Sequence, residues 1–393
     1  MEIIFWTSVL LILHTYLLYP LFLLLAGTIS QVKGDLLFIT GSRERRRAEI
    51  SLPELPTISM LIAAHNEEKV IETKIKNCLE LEYPREKLEF LIGSDASTDS
   101  TNDLVKSYES FGVKLIEFKE RSGKAGVINK LVPLAKGDIL IFSDANTMIE
   151  PFALKGLTKH FRDNKVGAVC GHLILIDRRG SPSAERIYWN YENMLKLMEG
   201  RLGASLGANG GIYALRRELF QPIPQNSLVD DFLVTMRVIE RGRKIVYDPE
   251  AKAIEEVGKT VAAEFKRRVR IGAGNFQNLV HLRGLLHPRY GLVSFSFWSH
   301  KVIRWHVPFL MIAAYLSNLF LIRQGTIFFT LFYLQTTFYL LALLSQFNIS
   351  KNLLFRGPQY FLFMNAALLA GFFRSLKRNP LGNWTPTERW GLD

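Results

Sequence analysis

The residues best suited to chemistry in this chain are Asp144, with Asn146 two places on, and the adjacent carboxylates Asp230 and Asp231. An Asp beside an Asn, with no thiol or histidine at ligand spacing, offers the hard oxygen donors that bind Mg2+ or Mn2+ and, through the ion, a pyrophosphate. The same triplet also fits an ordinary helix-capping Asp. Asp230 and Asp231 open the amphipathic run Phe232, Leu233, Met236, Val238, Ile239, which places both at a helix amino terminus. Capping and the helix dipole account for one of the two without chemistry. Arg267, Arg268 and Arg270 follow Phe265 on a basic helix, which reads as a solvated or lipid-facing face or as an anion-binding surface. No Gly-x-Gly-x-x-Gly follows the first expected strand, and no Gly-x-x-x-x-Gly-Lys-Ser/Thr occurs. A phosphate would therefore be held by a metal and basic side chains and not by a glycine cradle.

Strands must deliver these residues. The apolar run Ile139–Ser143, after Gly137, reads as a buried parallel strand with Asp144 at its carboxyl end, the edge where open α/β sheets bind ligands. Ile58–Ala63, Leu88–Ile92 and Val113–Phe118 are the strands before it. A helix follows His65-Asn66-Glu67-Glu68, with apolar positions at Val70, Ile71, Ile75, Cys78 and Leu79. In the loop Asp95–Asp99, Ser97 or Asp99 can cap the next helix, and Ala125–Leu134 forms another. Alternating strands and helices predict a doubly wound α/β sheet, entered at Pro53 and Pro56. Gly203–Gly211 has the glycine content of a loop needing positive φ or close backbone approach, ahead of a strand at Ile212–Leu215. Tyr188, Trp189, Tyr191 and Met194 recur on a helix from Ala184 to Glu199, read as core packing, a sugar platform or a membrane-surface helix. Cys78 and Cys170 read as small buried hydrophobes.

Taken in order, the motifs Ala63-Ala-His-Asn-Glu67, Ser94-Asp95-Ala-Ser-Thr-Asp99, Lys124 ahead of Asn129-Lys130, Ser143-Asp144-Ala-Asn146, Val229-Asp230-Asp231 and Arg267-Arg-Val-Arg270 resemble those of the inverting family 2 glycosyltransferases. The resemblance covers Ile58 to Gly274 by motif. In overall plan it extends to membrane-embedded members such as cellulose, hyaluronan and poly-N-acetylglucosamine synthases. It implies the GT-A fold of nucleotide-diphospho-sugar transferases, a doubly wound mixed sheet with flanking transmembrane helices. It also implies that Ala63, His65, Glu67, Asp95, Lys124, Asp144, Arg267 and Arg270 bind the nucleotide sugar. Within that set Asp95 meets the uracil or ribose, Lys124 the nucleotide and the arginines the diphosphate. Mg or Mn would sit at Asp144 and Asn146, and the acceptor sugar near Asn209 and Gly210. Of the catalytic carboxylates Asp230 and Asp231, the latter is implied as the base that takes the acceptor proton. Three positions depart from the pattern. Asn146 stands where a second Asp is usual, Arg267 replaces a Gln, and Ile271 replaces the Trp that stacks on the acceptor, which removes the support for processive elongation.

The formal net charge is +12, but the basic clusters Arg43–Arg47, Lys266–Arg270 and Arg374–Arg378 lie near apolar segments, as the positive-inside rule describes. No aromatic-interleaved basic groove is present, so no nucleic-acid partner is expected. Ile3–Ile29 exceeds the roughly 20 residues that cross a bilayer and lacks the positive start of a signal peptide. Val302–Ile322 and Thr326–Phe347 are expected to span as well. Tyr360–Phe373 is short for a crossing and either crosses or lies re-entrant or in the interface. The basic tail through Trp390 favours a cytosolic end, testable with a cysteine at Thr387. The expected plan is a transmembrane helix (1–30), a cytosolic catalytic domain (50–285), a membrane region (286–375) and a tail (376–393). The expected function is that of an integral plasma- or inner-membrane hexosyl- or N-acetylhexosaminyl-transferase. It would move sugar from a nucleotide-diphosphate sugar, UDP-linked, to a polysaccharide or lipid-linked saccharide among membrane lipids. Alternatives are a nonprocessive polyprenyl-phosphate sugar or glycolipid synthase, and, from another class, a transporter or inactive scaffold. Transport is disfavoured because the few charges in the spans lie at their ends.

Overall fold

In the computed structural model, which describes residues 1–40, 55–176, 184–208, 210–256, 260–345 and 353–377, eight strands form one sheet. They are β1 (Ile58–Ala64), β2 (Leu88–Asp95), β3 (Val113–Phe118), β4 (Ile139–Ser143), β5 (Met148–Ile149), β6 (Val166–Ile176), β7 (Ile212–Arg216) and β8 (Lys244–Glu256). Around them lie α1 (Glu2–Leu13) and α2 (Tyr19–Ile39), joined by a π-helical turn (His14–Leu18), then α3 (Ile71–Leu79), α4 (Thr101–Lys106), α5 (Gly123–Leu131) and α6 (Ala153–Thr158). There follow α7 (Ala184–Arg201), α8 (Asp230–Glu240), α9 (Val261–His281), α10 (Leu292–Ser296), α11 (Ile303–Leu321), α12 (Thr326–Leu344) and α13 (Leu353–Leu376).

The sheet order is β3-β2-β1-β4-β7-β6-β8-β5. The first four strands in this order are parallel. β7 runs antiparallel to both β4 and β6, and β8 is parallel to β6. Every residue of β1 and β4 is buried, as a sheet covered by helices on both faces requires. Ala125, Val127, Ile128 and Leu131 of α5 pack on one face with Leu61, Leu91 and Leu140. Ile71, Ile75 and Cys78 of α3 pack on the other with Met60, Ile62 and Ile141. The expected strands at 58–63, 88–92, 113–118, 139–143 and 212–215 are all present, and both cysteines are free and buried.

The membrane region departs from expectation in one place. Among the described residues, two helices are long and apolar enough to cross a bilayer, Glu2–Leu37 and Thr326–Leu344. The segment Val302–Ile322, expected to span, is not one of them. Its helix α11 carries Arg304, His306 and Asn318, and both Arg304 and Asn318 are buried against the rest of the protein. Tyr360–Phe373 lies within the 24-residue α13, which is not among the helices apolar enough over a sufficient length to cross. α13 packs along α9 with the two backbones in contact: a Cβ added at Gly371 would lie 2.8 Å from the Ala273 amide nitrogen. The expectations for Arg43–Arg47, Pro53, Asn209, Arg378 and the tail with Thr387 and Trp390 fall outside the described residues.

Candidate active site

Asp144 stands just past β4, and the segment that carries it is held from below by α3. Lys74, fully buried, donates to the Ser143 hydroxyl at 2.8 Å and to the Thr147 carbonyl at 2.5 Å. Burial pushes the Lys74 ammonium below its ordinary pKa. Asn77 adds a reciprocal pair of 2.8 Å hydrogen bonds to the backbone of Ile149. The Ser143 hydroxyl also reaches the Gly211 carbonyl at 3.0 Å, tying the end of β4 to the loop before β7. In that loop Gly203 and Gly207 have φ of +70° and +43°, a conformation that favours glycine.

Lys124, in the first turn of α5, donates to Asp144 Oδ1 at 2.7 Å and lies 3.7 Å from Asp230 Oδ2. Asp230 and Asp231 are the first two residues of α8, whose N-cap Val229 supplies no side-chain acceptor. The geometry closes around Gly210. A Cβ placed there would lie 3.4 Å from Asp144 Oδ2, 3.4 Å from Asp231 Oδ2 and 3.6 Å from Lys124 Nζ. Burial first, and then the neighbouring Asp230 carboxylate, raise the Asp231 pKa to about 7 against the opposing charge of Lys124. Burial acts to lower the Lys124 pKa, but the three carboxylates outweigh it and hold the ammonium well above its usual range.

The predicted nucleotide residues divide into two groups. Ala63, His65 and Asp95 are buried behind the cleft wall and do not line it. Asp95 accepts from the amides of Ser122 (2.7 Å) and Gly123 (2.9 Å), and so holds the amino terminus of α5 that carries Lys124. His65 Nδ1 bonds the Asp95 carbonyl at 2.7 Å. Asn66 and Ala96, both at positive φ, interlock the two neighbouring loops: Asn66 Oδ1 accepts from the Thr98 amide and the Glu67 amide donates to Thr101 Oγ1, each at 2.8 Å. The N-cap of α4 is Ser100, without a side-chain cap bond, and not Ser97 or Asp99; Asp99, one place earlier, accepts from the Thr101 amide at 3.0 Å.

Glu67, Lys124, Asp144, Asn146 and Gly210 line a cleft of about 800 Å³ with Asp230, Asp231, Arg267 and Arg270. Arg267 already faces Glu255 (3.8 Å) and Glu264 (3.4 Å). Arg270 has no hydrogen bond or ion pair among the described residues. Burial and Arg267 lower its pKa, while Asp144, Asp230 and Asp231 act in the other direction. Tyr188 and Trp189 of α7 also line the cleft, whereas Tyr191 packs with Tyr19 and Leu195.

Sequence reasoning missed the far wall, built by Glu192, Lys301, Arg304, Trp305, Met364 and Leu368. His300 lies between Glu199 (2.6 Å) and Glu192 (3.2 Å), and Tyr19 donates to Glu199 at 2.7 Å. Glu192 also pairs with Arg304 and, at 3.4 Å, with Lys301. The available signal was helical spacing: Glu192 and Glu199 on an aromatic helix, and His300, Lys301 and Arg304 within an apolar run.

Among the described residues, no group of three or more His, Cys, Asp or Glu could hold a metal ion unaided. Asp144 is one hard donor. The Asn146 amide nitrogen is buried without a partner, and turning the amide over would place its oxygen there instead. This small oxygen set fits an ion whose remaining ligands are diphosphate oxygens and water, the usual arrangement for Mg2+.

Residues 59–223 match the family described as Glycosyl transferase family 2. The chain is 27% identical over 277 residues to a poly-beta-1,6-N-acetyl-D-glucosamine synthase of Staphylococcus aureus (strain COL), covering 67% of this chain and 65% of that protein. It is 28% identical over 279 residues to a probable glycosyltransferase of Bacillus subtilis (strain 168), covering 66% and 63%. The matched stretch thus spans less than two thirds of the length of either relative. A solved mannosyltransferase from Pyrobaculum calidifontis, in complex with GDP-Man and Mn2+, shares the fold with a TM-score of 0.65 at 20% identity. That match covers 91% of this chain and 97% of the other.

Proposed function

We propose that this chain, which carries a family 2 glycosyltransferase domain on a GT-A fold, transfers a sugar from a nucleoside-diphosphate sugar to a saccharide hydroxyl beside a membrane, inverting the anomeric carbon. The observation that carries this reading is the convergence of Lys124, Asp144 and Asp231 on the space beside Gly210. Inverting transfer needs a carboxylate on the side opposite the leaving group. The acceptor oxygen forms a bond to the anomeric carbon, its proton passes to Asp231, and the bond from that carbon to the diphosphate breaks, with the electron pair leaving on the nucleoside diphosphate. A carboxylate that binds protons near neutrality is well matched to that proton transfer. Lys124 and Arg270 supply fixed positive charge to the departing diphosphate in a partly dry cleft, where such charge acts strongly. A divalent ion, when bound at Asp144 and Asn146, adds charge compensation of the same kind. Asp230 orients Lys124 and raises the proton affinity of Asp231.

Asp95, His65 and Ala63 contribute by shaping the wall that faces the nucleotide, Asp95 by fixing the start of α5. Two apolar helices support a membrane enzyme, and the basic clusters beside the apolar segments support a catalytic domain in the cytosol. The names of the relatives favour an N-acetylhexosamine or hexose donor and a saccharide acceptor.

The test offers a panel of nucleotide sugars to membranes containing the protein, with Mn2+, Mg2+ or a chelator, and reads nucleoside diphosphate release and product mass. Metal-dependent transfer from one donor is expected, and Asp231→Asn should lose it while still binding donor. Full turnover by Asp231→Asn would reject the assignment of the base.

A further inference from the structure

Beyond the carboxylates, the cleft continues to a second charged end whose composition is unlike the first. Arg304 lies there, 5% exposed, and its Nε and Nη2 find no hydrogen-bond acceptor among the described residues. Its guanidinium is flanked by the rings of Tyr16, Tyr191 and Tyr188 at 5.2, 5.4 and 5.5 Å. Those rings stabilise the cation, and the Tyr16 hydroxyl lies close to the guanidinium, yet Nε and Nη2 form no hydrogen bond among the described residues. One carboxylate, Glu192, is shared by Arg304, Lys301 and His300, while Glu199 is engaged by His300 and Tyr19. Two permanent cations therefore share Glu192 directly, while Glu199 is the second carboxylate of the cluster, and both cations line the cleft. The neighbouring wall is apolar and comes from Trp305 on α11 and from Met364 and Leu368 on α13. Tyr16 belongs to the long amino-terminal apolar helix.

We propose that this end of the cleft binds the phosphate of a lipid-linked saccharide acceptor, with Arg304 and Lys301 on the phosphate and Trp305, Met364 and Leu368 beside the lipid chain. This rests on the transferase reading of the same cleft and narrows its acceptor to a phosphate-bearing lipid. The phosphate is an anchor and not the nucleophile. A phosphate oxygen is already deprotonated and would give Asp231 nothing to remove, whereas a sugar hydroxyl attached to the anchored lipid needs that base. The arginine fork suits a phosphate because its N–H groups meet two oxygens at once.

The test is a binding measurement on the full-length protein in detergent, with no donor present, so that it stands apart from whether transfer occurs. The probes are a fluorescent polyprenyl phosphate, the corresponding alcohol, and inorganic phosphate. Saturable binding of the lipid phosphate is expected, about tenfold or more tighter than the alcohol, the scale of a charge-assisted hydrogen bond. Lys301→Gln and Arg304→Lys should each weaken it by about tenfold, since Arg304→Lys keeps a cation on Glu192 but loses the fork. If Arg304→Lys fails to fold, as a thermal melt would show, Lys301→Gln at the cleft surface decides alone. Equal binding of phosphate and alcohol, or unchanged affinity in Lys301→Gln, would overturn the proposal. Displacement by inorganic phosphate as effective as by the lipid phosphate would assign a free anion instead and remove the lipid.

Discussion

Asp230 and Asp231 are adjacent in sequence and take unequal parts. Because burial and the Asp230 charge lift the Asp231 pKa to about 7, the proposed base is competent above that pH and is lost as pH falls through it. Activity should therefore fall on the acid side near neutrality, well above the ordinary carboxylate range. Asp230→Asn removes a negative neighbour, which lowers the Asp231 pKa and moves the acid limb of the pH–rate profile to lower pH. A limb that stays in place would show that Asp230 does not set it. Replacing the base itself by Asn should cost about a hundred- to ten-thousandfold in turnover, with donor affinity kept in an equilibrium titration. Asp144→Ala should have the opposite signature, losing metal-dependent donor binding first, and unchanged binding would remove Asp144 from the metal set.

Elements decide whether those side chains meet. Lys74 never reaches the cleft, yet it ties α3 to both flanks of Asp144. Lys74→Met should leave the Ser143 hydroxyl and the Thr147 carbonyl short of a donor, costing about 1–3 kcal/mol, read as a lower melting temperature together with weaker metal-dependent donor binding. β1 and β4 were legible because each is a short, mostly apolar run bounded by polar or glycine residues. β6 and β8 were not. Their pairing slips between Val166 and Ala168 and again between Cys170 and His172, and β8 contains Asp248-Pro249-Glu250, which reads as a turn. Gly171 sits where a Cβ would lie 2.6 Å from the Ala251 carbonyl oxygen, a close approach visible only once the strands are paired. Asp144, Asp231, Lys124 and Arg270 were legible from motif order, and the structure brings all four to one cleft. The burial of Asp95 and the wall from Glu192, Lys301 and Arg304 were not, because each depends on partners more than 25 residues away.

At the scale of the whole molecule, the amino-terminal helix is joined to the far wall of the cleft. Thr15 donates to the Ser299 carbonyl at 2.7 Å and Tyr19 to Glu199 at 2.7 Å. Deleting residues 1–37 should therefore abolish donor turnover even in protein kept soluble by detergent, and a truncated enzyme with full turnover would reduce that helix to an anchor. The glycines of α9 carry a further consequence. Through Gly272, α9 touches the backbone of α13, while a Cβ at Gly274 would lie 2.4 Å from a methyl of Val229, the residue before Asp230. Asn278 on the same helix donates to the Val229 carbonyl at 2.8 Å. With backbone against backbone at Gly272 and only the Val229 methyls at Gly274, these contacts leave little slack, so a displacement of α13 is expected to pass along α9, as along a lever, to Asp230, Asp231 and Arg270. A bilayer that tilts the apolar α12, which packs against α13, would then press on that lever and shift the groups proposed to react. Lipid chain length becomes a variable of turnover: in proteoliposomes of graded thickness, the catalytic rate should pass through an optimum while donor affinity, at the site proposed on α3, α5 and the loops at the end of β1 and β2, stays level.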